Sequence, residues 1–394
     1  MFASHYLEKN KNSLLVELSP NIDTGIIIVI PCLNEPEVIH TLKSIHSCSV
    51  ASCHTEIILV INHSRTASAR IRNINNCSKC NIQNWIIKNR NDKLSFFVVG
   101  PLELPVKWAG AGLARKKGMD EAVSRFNLLD KPDGIIVSLD ADTIVEKNYL
   151  QAIESHFILN SQEIGATIPV KHQVQGLTGK HLEGIILYEK YMNYYRNAVG
   201  YTGFPYPMFT VGSAFAVKAA AYVRRGGMNR RKAGEDFYFL QNLVQMGPVG
   251  ELKNTTVHPS ARLSDRVPFG TGPILQKWLN NEKDLTKTYN IRAFEDLKIF
   301  FGLKDRLFKI SREGYHLFLE RLPGPVAVFL KKDDFWSKLA DLNSNCSCQS
   351  TFHLRFFQKF NAFKVLKFLN FAHEDFYKKE DINELIKSLE EKLH

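Results

Sequence analysis

Two aspartates one residue apart, Asp140 and Asp142, stand at the end of the run Gly134-Ile135-Ile136-Val137-Ser138-Leu139. That apolar run has no helical period and follows the turn signal Pro132-Asp133-Gly134, so it reads as a buried strand carrying both acids at its carboxyl end. In open α/β sheets ligands bind beyond the carboxyl ends of the strands. Two acids placed there face one crevice, and hard divalent cations take oxygen ligands of this kind. A cation so held bridges a diphosphate and neutralises charge as the diphosphate leaves. The alternative is a strand-to-helix turn whose aspartates cap backbone N–H groups.

Complementary chemistry lies elsewhere in the chain. Arg115, Lys116 and Lys117 cluster in a predicted helix over 109–126. Guanidinium and ammonium groups suit a diphosphate, although the same cluster also fits a solvated basic face. Glu235 and Asp236 open a predicted helix over 235–246. A carboxylate there either removes a proton from an acceptor hydroxyl or caps the helix, since acids favour the first turn. Arg262 and Arg266, with Gly270 and Gly272 behind them, form either a lid that closes on a diphosphate or a surface loop. Trp108, the tyrosines between 188 and 206, and Phe209 offer an acceptor-side wall, because sugars stack on aromatic rings; most aromatics in such number belong to cores.

The elements that must position these residues alternate. Strands are predicted over 24–30, 56–61, 95–99, 134–139, 165–170, 209–217 and 251–257. Helices are predicted over 37–45, 109–126, 146–159, 218–225 and 235–246, with a further helix and an irregular loop between 182 and 206. Strand, helix and strand in succession begin a parallel α/β sheet with right-handed crossovers. Beyond about Gly270 the chain turns to helical segments rich in Phe, Leu and Lys. These changes divide it into an N-terminal extension (1–23), a catalytic domain (24–271) and a mainly helical region (272–394).

Bulk properties narrow the classes further. With 394 residues, 44% hydrophobic and 23% charged, the chain has the composition of a folded protein rather than a disordered one. Its 51 Lys and Arg against 40 Asp and Glu give +11, which favours anionic partners. No run approaches a membrane span and the first residues carry no secretory apolar core, so the expectation is a soluble protein in the cytoplasm. Between Thr351 and Phe371 the charged residues are all basic, and Phe352, Phe356, Phe360 and Phe363 share a face on a single helical wheel. This ragged basic stripe raises peripheral association with the inner face of a membrane. Cys77 and Cys80, with Cys346 and Cys348, offer two half-sites for zinc or a set of free thiols.

Taken in order, Val29-Ile30-Pro31-Cys32-Leu33-Asn34-Glu35, Asn62-His63-Ser64, Asp140-Ala141-Asp142, Gly212-Ser213-Ala214 and Gly234-Glu235-Asp236 resemble the family 2 glycosyltransferases of the GT-A fold, over residues 24 to 262. The resemblance implies a single Rossmann-like α/β domain of GT-A type with a mostly parallel central sheet, followed by a C-terminal helical extension. It implies transfer of a sugar, with inversion, from a nucleotide-diphospho-sugar to a hydroxyl of a glycan, a lipid-linked or a small-molecule acceptor, with Mn2+ or Mg2+. Pro31, Asn34 and Glu35 would line the nucleotide pocket and Arg115 would flank it. Asn62 stands where the family often has an acid that reads the base, a departure that leaves the base open. Asp140 would contact ribose or the metal, and Asp142, second in this DxD motif, would ligate the metal on the diphosphate. Asp236, beside Glu235, would be the general base. His258 falls where several GT-A enzymes place a metal ligand or phosphate contact, although a lone histidine after a strand is commonly an ordinary hydrogen-bonded residue.

Two other classes compete. A sugar-phosphate nucleotidyltransferase would carry a Gly-rich loop with Arg or Lys straight after its first strand, where Pro31-Cys32-Leu33-Asn34 stands instead. A non-enzymatic basic protein for nucleic acid or a membrane surface leaves Asp140, Asp142 and Asp236 without a purpose, and nucleic acid is not expected as a partner.

Overall fold

Ile26, Ile28 and Ile30 alternate with Ile27 and Val29 along β1 (Thr24–Cys32), and all five are fully buried. A strand covered on both faces is the centre of a parallel sheet. The strands that follow are β2 (His54–Ser64), β3 (Leu94–Leu104), β4 (Ile135–Ser138), β5 (Thr143–Val145), β6 (Gly165–Thr167), β7 (Phe215–Lys218), β8 (Val249–Glu251) and β9 (Val257–Pro259). The helices are α1 (Ser4–Asn10), α2 (Val38–His46), α3 (Ala69–Lys88), α4 (Ala111–Leu128), α5 (Tyr149–Leu159), α6 (Gly179–Tyr201), α7 (Ala219–Arg224) and α8 (Glu235–Leu243), with further helices beyond Thr271. The computed structural model describes residues 1–10, 14–208, 214–230, 234–264 and 270–393.

Seven strands form one sheet in the order β3-β2-β1-β4-β7-β6-β8. β1 pairs in parallel with β2 and β4, and only β7 runs against its neighbours. This is the mostly parallel α/β sheet expected. The order reverses at β1, which has β2 on one side and β4 on the other, so a crevice opens between the carboxyl ends of β1 and β4. Pro31 does not end β1, as the sequence suggests. Val29 O accepts from Leu139 N (3.1 Å), so the N–H that Pro31 lacks would face the β4 side, past the last paired residue, Ser138. β5 and β9 make a small antiparallel pair that follows Asp142 directly and precedes Ser260. Of the strand predicted over 251–257 only its two ends are strand, Glu251 in β8 and Val257 in β9, and 252–256 are irregular.

Two features of this sheet unit escape the apolar pattern. Helix α3 lies in a stretch with no predicted helix, because its buried residues are Asn75, Ser78 and Ile82 rather than an apolar stripe. Helix α4 is buried along most of its length, including Arg115, Lys116, Asp120, Glu121, Arg125 and Asn127. Gly118 lets it lie on the sheet, since a Cβ there would stand 2.4 Å from Val29 Cγ1. Its polar side is covered by the N-terminal extension. Ala3 N donates to Asn127 Oδ1 (2.8 Å), Leu15 N to Glu121 Oε2 (2.8 Å), and Arg125 Nη1 to Leu18 O (2.8 Å). Arg125 also forks onto Glu56 of β2.

The chain divides into two compact units, one of Met1–Gln175 and Thr210–Pro273 and the other of Gly176–Phe209 and Ile274–His394. The second unit thus takes in α6 as well as the C-terminal helices. Its core is phenylalanine-rich: Phe294, Phe300, Phe335, Phe352, Phe356, Phe360 and Phe368 are wholly buried. The stretch from 351 to 371 is two helices rather than one, Gln349–Lys359 and Ala362–Asp375, and Asn361 caps the second by accepting from Lys364 N (3.1 Å). Most of its phenylalanines face this core, which corrects the single-wheel reading and leaves the peripheral-membrane expectation without its apolar face. No helix of the described residues is long and apolar enough to cross a membrane.

Candidate active site

At the carboxyl end of β1 the chain turns sharply. Asn34 takes a left-handed backbone (φ 50°), a conformation that Asn tolerates better than most residues, and its N–H donates to Asn75 Oδ1 of α3 (3.0 Å). Ser78 Oγ, one turn along α3, donates to Glu35 O (3.2 Å). This turn tucks Glu35 inward, with its side chain only 2% exposed. Its two carboxylate oxygens meet the two terminal nitrogens of Arg262, Nη1 at 2.7 Å and Nη2 in close contact, a bidentate fork.

At the end of β4 the paired aspartates separate. Asp140 Oδ1 accepts from Arg115 Nη2 (2.5 Å), and Asp142 Oδ2 from Arg262 Nη2 (2.9 Å). The backbone between and around them is fixed. Thr41 Oγ1 of α2 donates to Ala141 O (2.9 Å), and Ser260 N to Asp142 O (3.2 Å). Gln173 Nε2 bridges Asp142 O (3.0 Å) and His258 O (2.6 Å), so β9 and the segment bearing Arg262 are held in register with Asp142.

Helix α8 brings the third set of acids. Its N-cap is Gly234 in a left-handed conformation (φ 71°), and Glu235 is buried against Arg115 Nη1. Burial pushes the Glu235 carboxyl up to about 7, against the opposing pull of Arg115. Burial also raises the half-buried Asp236, again opposed by Arg115. Burial works against the charge on Arg115, but Glu235, Asp140 and Asp236 outweigh it and hold the guanidinium firmly protonated. Arg115 therefore joins α4, β4 and α8 in one buried cluster.

The two arginines thus gather Glu35, Asp140, Asp142, Glu235 and Asp236, with Pro31 near the end of β1 and Asn34 on the turn after it. The other predicted residues have these partners. Asn62 is wholly buried in β2, where Nδ2 donates to Cys32 O (3.1 Å) and its backbone carbonyl accepts from Asn75 Nδ2 (2.8 Å), so it ties β1 to α3. His258 Nδ1 lies on Lys171 O (2.8 Å) and Nε2 faces Glu146 (3.5 Å), so its backbone, not its ring, meets the Asp142 network. Lys116 reaches away to Asp120 (2.8 Å) and to the Tyr6 hydroxyl of α1 (3.1 Å), a correction to the reading of a threefold basic cluster on a diphosphate. Arg266, Phe209, Gly212 and Ser213 lie outside the described residues.

Tyr191, Tyr194 and Tyr195 of α6 pack with Tyr289 and Phe294 in the helical unit, so these rings serve a core. Trp108 sits just before α4, with Lys107 and Arg230 over its ring. No disulfide joins the cysteines among the described residues. Sequence reading missed Asn75, Ser78 and Gln173; all three act through backbone partners, which leave no motif.

No group of three His, Cys, Asp or Glu side chains suited to a metal assembles among the described residues. Mg2+ and similar ions commonly use one or two carboxylates together with substrate phosphates and water. Asp140 and Asp142 fit a cation that shares its shell with a diphosphate, and they do not form a complete protein cage.

No family model and no curated protein sequence matches the chain. Solved structures do show a likeness. One is TarS 1-349 of S. aureus in complex with UDP-GlcNAc, at 12% identity and TM-score 0.42, covering 77% of this chain and 79% of that one. A second is mannosyltransferase PcManGT from Pyrobaculum calidifontis in complex with GDP-Man and Mn2+, at 12% identity and TM-score 0.39, covering 91% and 93%. A third is glucosyl-3-phosphoglycerate synthase from Mycobacterium tuberculosis with Mn2+, UDP-Glc and glycerol 3-phosphate, at 12% and TM-score 0.34, covering 72% and 86%. None of the three assigns a substrate to this chain.

Proposed function

We propose that this protein is a glycosyltransferase that moves a sugar from a nucleotide-diphospho-sugar to an acceptor hydroxyl. The observation that carries this reading is the convergence of Glu35, Asp140, Asp142, Glu235, Arg115 and Arg262 at the switch point between β1 and β4. The nucleotide occupies the β1 side, over Pro31 and Asn34, and Arg262 meets the diphosphate. Asp140 and Asp142 would hold Mn2+ or Mg2+ there, which supplies charge neutralisation for the leaving diphosphate. Asp236 takes the proton of the acceptor O–H as that oxygen bonds to the sugar carbon, and the bond from that carbon to the diphosphate breaks. One displacement of this kind inverts the configuration at the sugar carbon. Arg115 is a positioning residue that fixes Asp140 and Glu235.

A panel of nucleotide sugars, screened by thermal shift with Mn2+ and by release of nucleoside diphosphate, tests the reading. At least one donor is expected to raise the melting temperature and to turn over. Neither binding nor turnover across the panel, with metal present, would sink it.

A further inference from the structure

Helix α3 buries Asn75, Ser78 and Ile82 on one side and turns the opposite side to solvent. On that side Asn73, Asn76, Cys77, Cys80, Asn81 and Asn84 follow one another at the spacing of a single helix face, and all are exposed. None of them is charged, in a chain of +11. The face also reads the same in both directions. From the midpoint between Ser78 and Lys79 the nearest pair is Cys77 and Cys80, the next Asn76 and Asn81, and the last Asn73 and Asn84. A second copy of α3, laid antiparallel across this face by a twofold axis, therefore sets Cys77 of one copy beside Cys80 of the other, and likewise Asn76 beside Asn81 and Asn73 beside Asn84. Amides both donate and accept, so these pairs are self-complementary, and no like charges meet.

Two thiols one helical turn apart suit a metal better than a disulfide. Cβ atoms at i and i+3 of a helix stand about 5–6 Å apart, wider than the ~3.5–4.5 Å of a disulfide. Sulfurs that share a tetrahedral zinc, each about 2.3 Å from it, stand roughly 3.8 Å apart, which side chains converging from that Cβ spacing reach. The pair supplies two of the four thiolates of a structural zinc site. No third His, Cys, Asp or Glu suited to a metal joins it among the described residues, and Cys346, of the other cysteine pair, is 3% exposed within the helical core. We propose that Cys77 and Cys80 are half of a four-cysteine zinc site that a second copy of this chain completes, with the two α3 helices antiparallel about the metal. Four thiol protons go to solvent as four zinc–sulfur bonds form. The stripe covers residues 73–84, about 18 Å of helix, too little for a standard interface of about 1,200–2,000 Å², so the metal rather than the helix contact holds the two copies together. The site does not depend on the proposed reaction.

The test is size-exclusion chromatography with light scattering on the full chain, reduced and freed of metal, before and after Zn2+ is added. The metal-free chain is expected to run as a monomer and, with Zn2+, as a dimer holding one zinc per two chains, which a chelator returns to monomer. Co2+ in place of zinc should give the strong visible absorption of a tetrahedral thiolate site, in the dimer alone. Cys77→Ser and Cys80→Ser, both at exposed positions, should each stay monomeric with Zn2+. Two further variants check the register: N76K/N81K sets lysine against lysine across the axis and should weaken zinc-dependent dimerisation at least about tenfold, whereas N76K/N81E sets lysine against glutamate and should not. Zinc held one per chain without dimerisation, no zinc bound, or a dimer that survives both serine substitutions would overturn the proposal. Equal behaviour of the two charged variants would overturn the antiparallel arrangement.

Discussion

Arg115 and Arg262 make the same kind of contact in opposite settings. Each bridges two acids from different elements. Arg115, 3% exposed, is enclosed between α4, β4 and α8, with Glu235 equally buried. Arg262, 31% exposed, lies on the segment after β9 and holds one buried acid and one half-exposed acid. Breaking a buried pair strands an uncompensated charge, whereas a pair open to water exchanges partners at low cost. Arg115 thus reads as part of the scaffold, and Arg262 as the more accessible of the two bridges.

Substitutions sharpen or break that contrast. The largest effect is expected from Arg115→Ala, which leaves Asp140, Glu235 and Asp236 facing one another; removing one partner of a buried pair costs about 3–5 kcal/mol. Arg262→Ala should cost less, because Arg262 is 31% exposed and Asp142 23% exposed, so water reaches part of what the substitution leaves behind. Urea denaturation of the two variants checks the order, and a larger loss for Arg262→Ala would reverse the assignment of roles. Asp236→Asn should lower kcat by roughly 10²- to 10⁴-fold, the range of general base catalysis, while donor affinity stays near wild type. Lost donor affinity would move Asp236 to the nucleotide side.

A smaller effect concerns pH. Glu235 holds its proton more tightly in the folded than in the unfolded chain, because burial raises it to about 7. The folded state therefore binds more protons between the ordinary glutamate value and about 7, and the stability this supplies is present at low pH and lost as pH rises through 7. The urea midpoint of wild type should fall across that window more steeply than that of Glu235→Gln. Equal slopes would place the titration elsewhere.

The parallel sheet was legible because Thr24–Cys32 and Ile135–Ser138 are apolar runs with the turn signals that buried strands require. The acids at their ends could be placed for the same reason. What was hidden is polar. Helix α3 buries Asn75 and Ser78, and α4 buries Lys116, Asp120 and Arg125 under the N-terminal extension, so neither shows the apolar stripe that marks a helix. In the helical unit the opposite problem arises. Phe352, Phe356 and Phe360 look like a surface stripe in sequence, and only the break at Asn361 turns them into a core. The pairing of Arg262 with Glu35 joins residues 227 positions apart and leaves no local trace.

The most direct test of the central claim is release of nucleoside diphosphate from the best donor of the panel, with Mn2+, by wild type and by Asp142→Asn. The account predicts turnover by wild type and a loss of roughly 10²-fold or more in the variant, the scale on which a lost electrostatic contact to a developing charge is felt. Turnover by Asp142→Asn at the wild-type rate would contradict it.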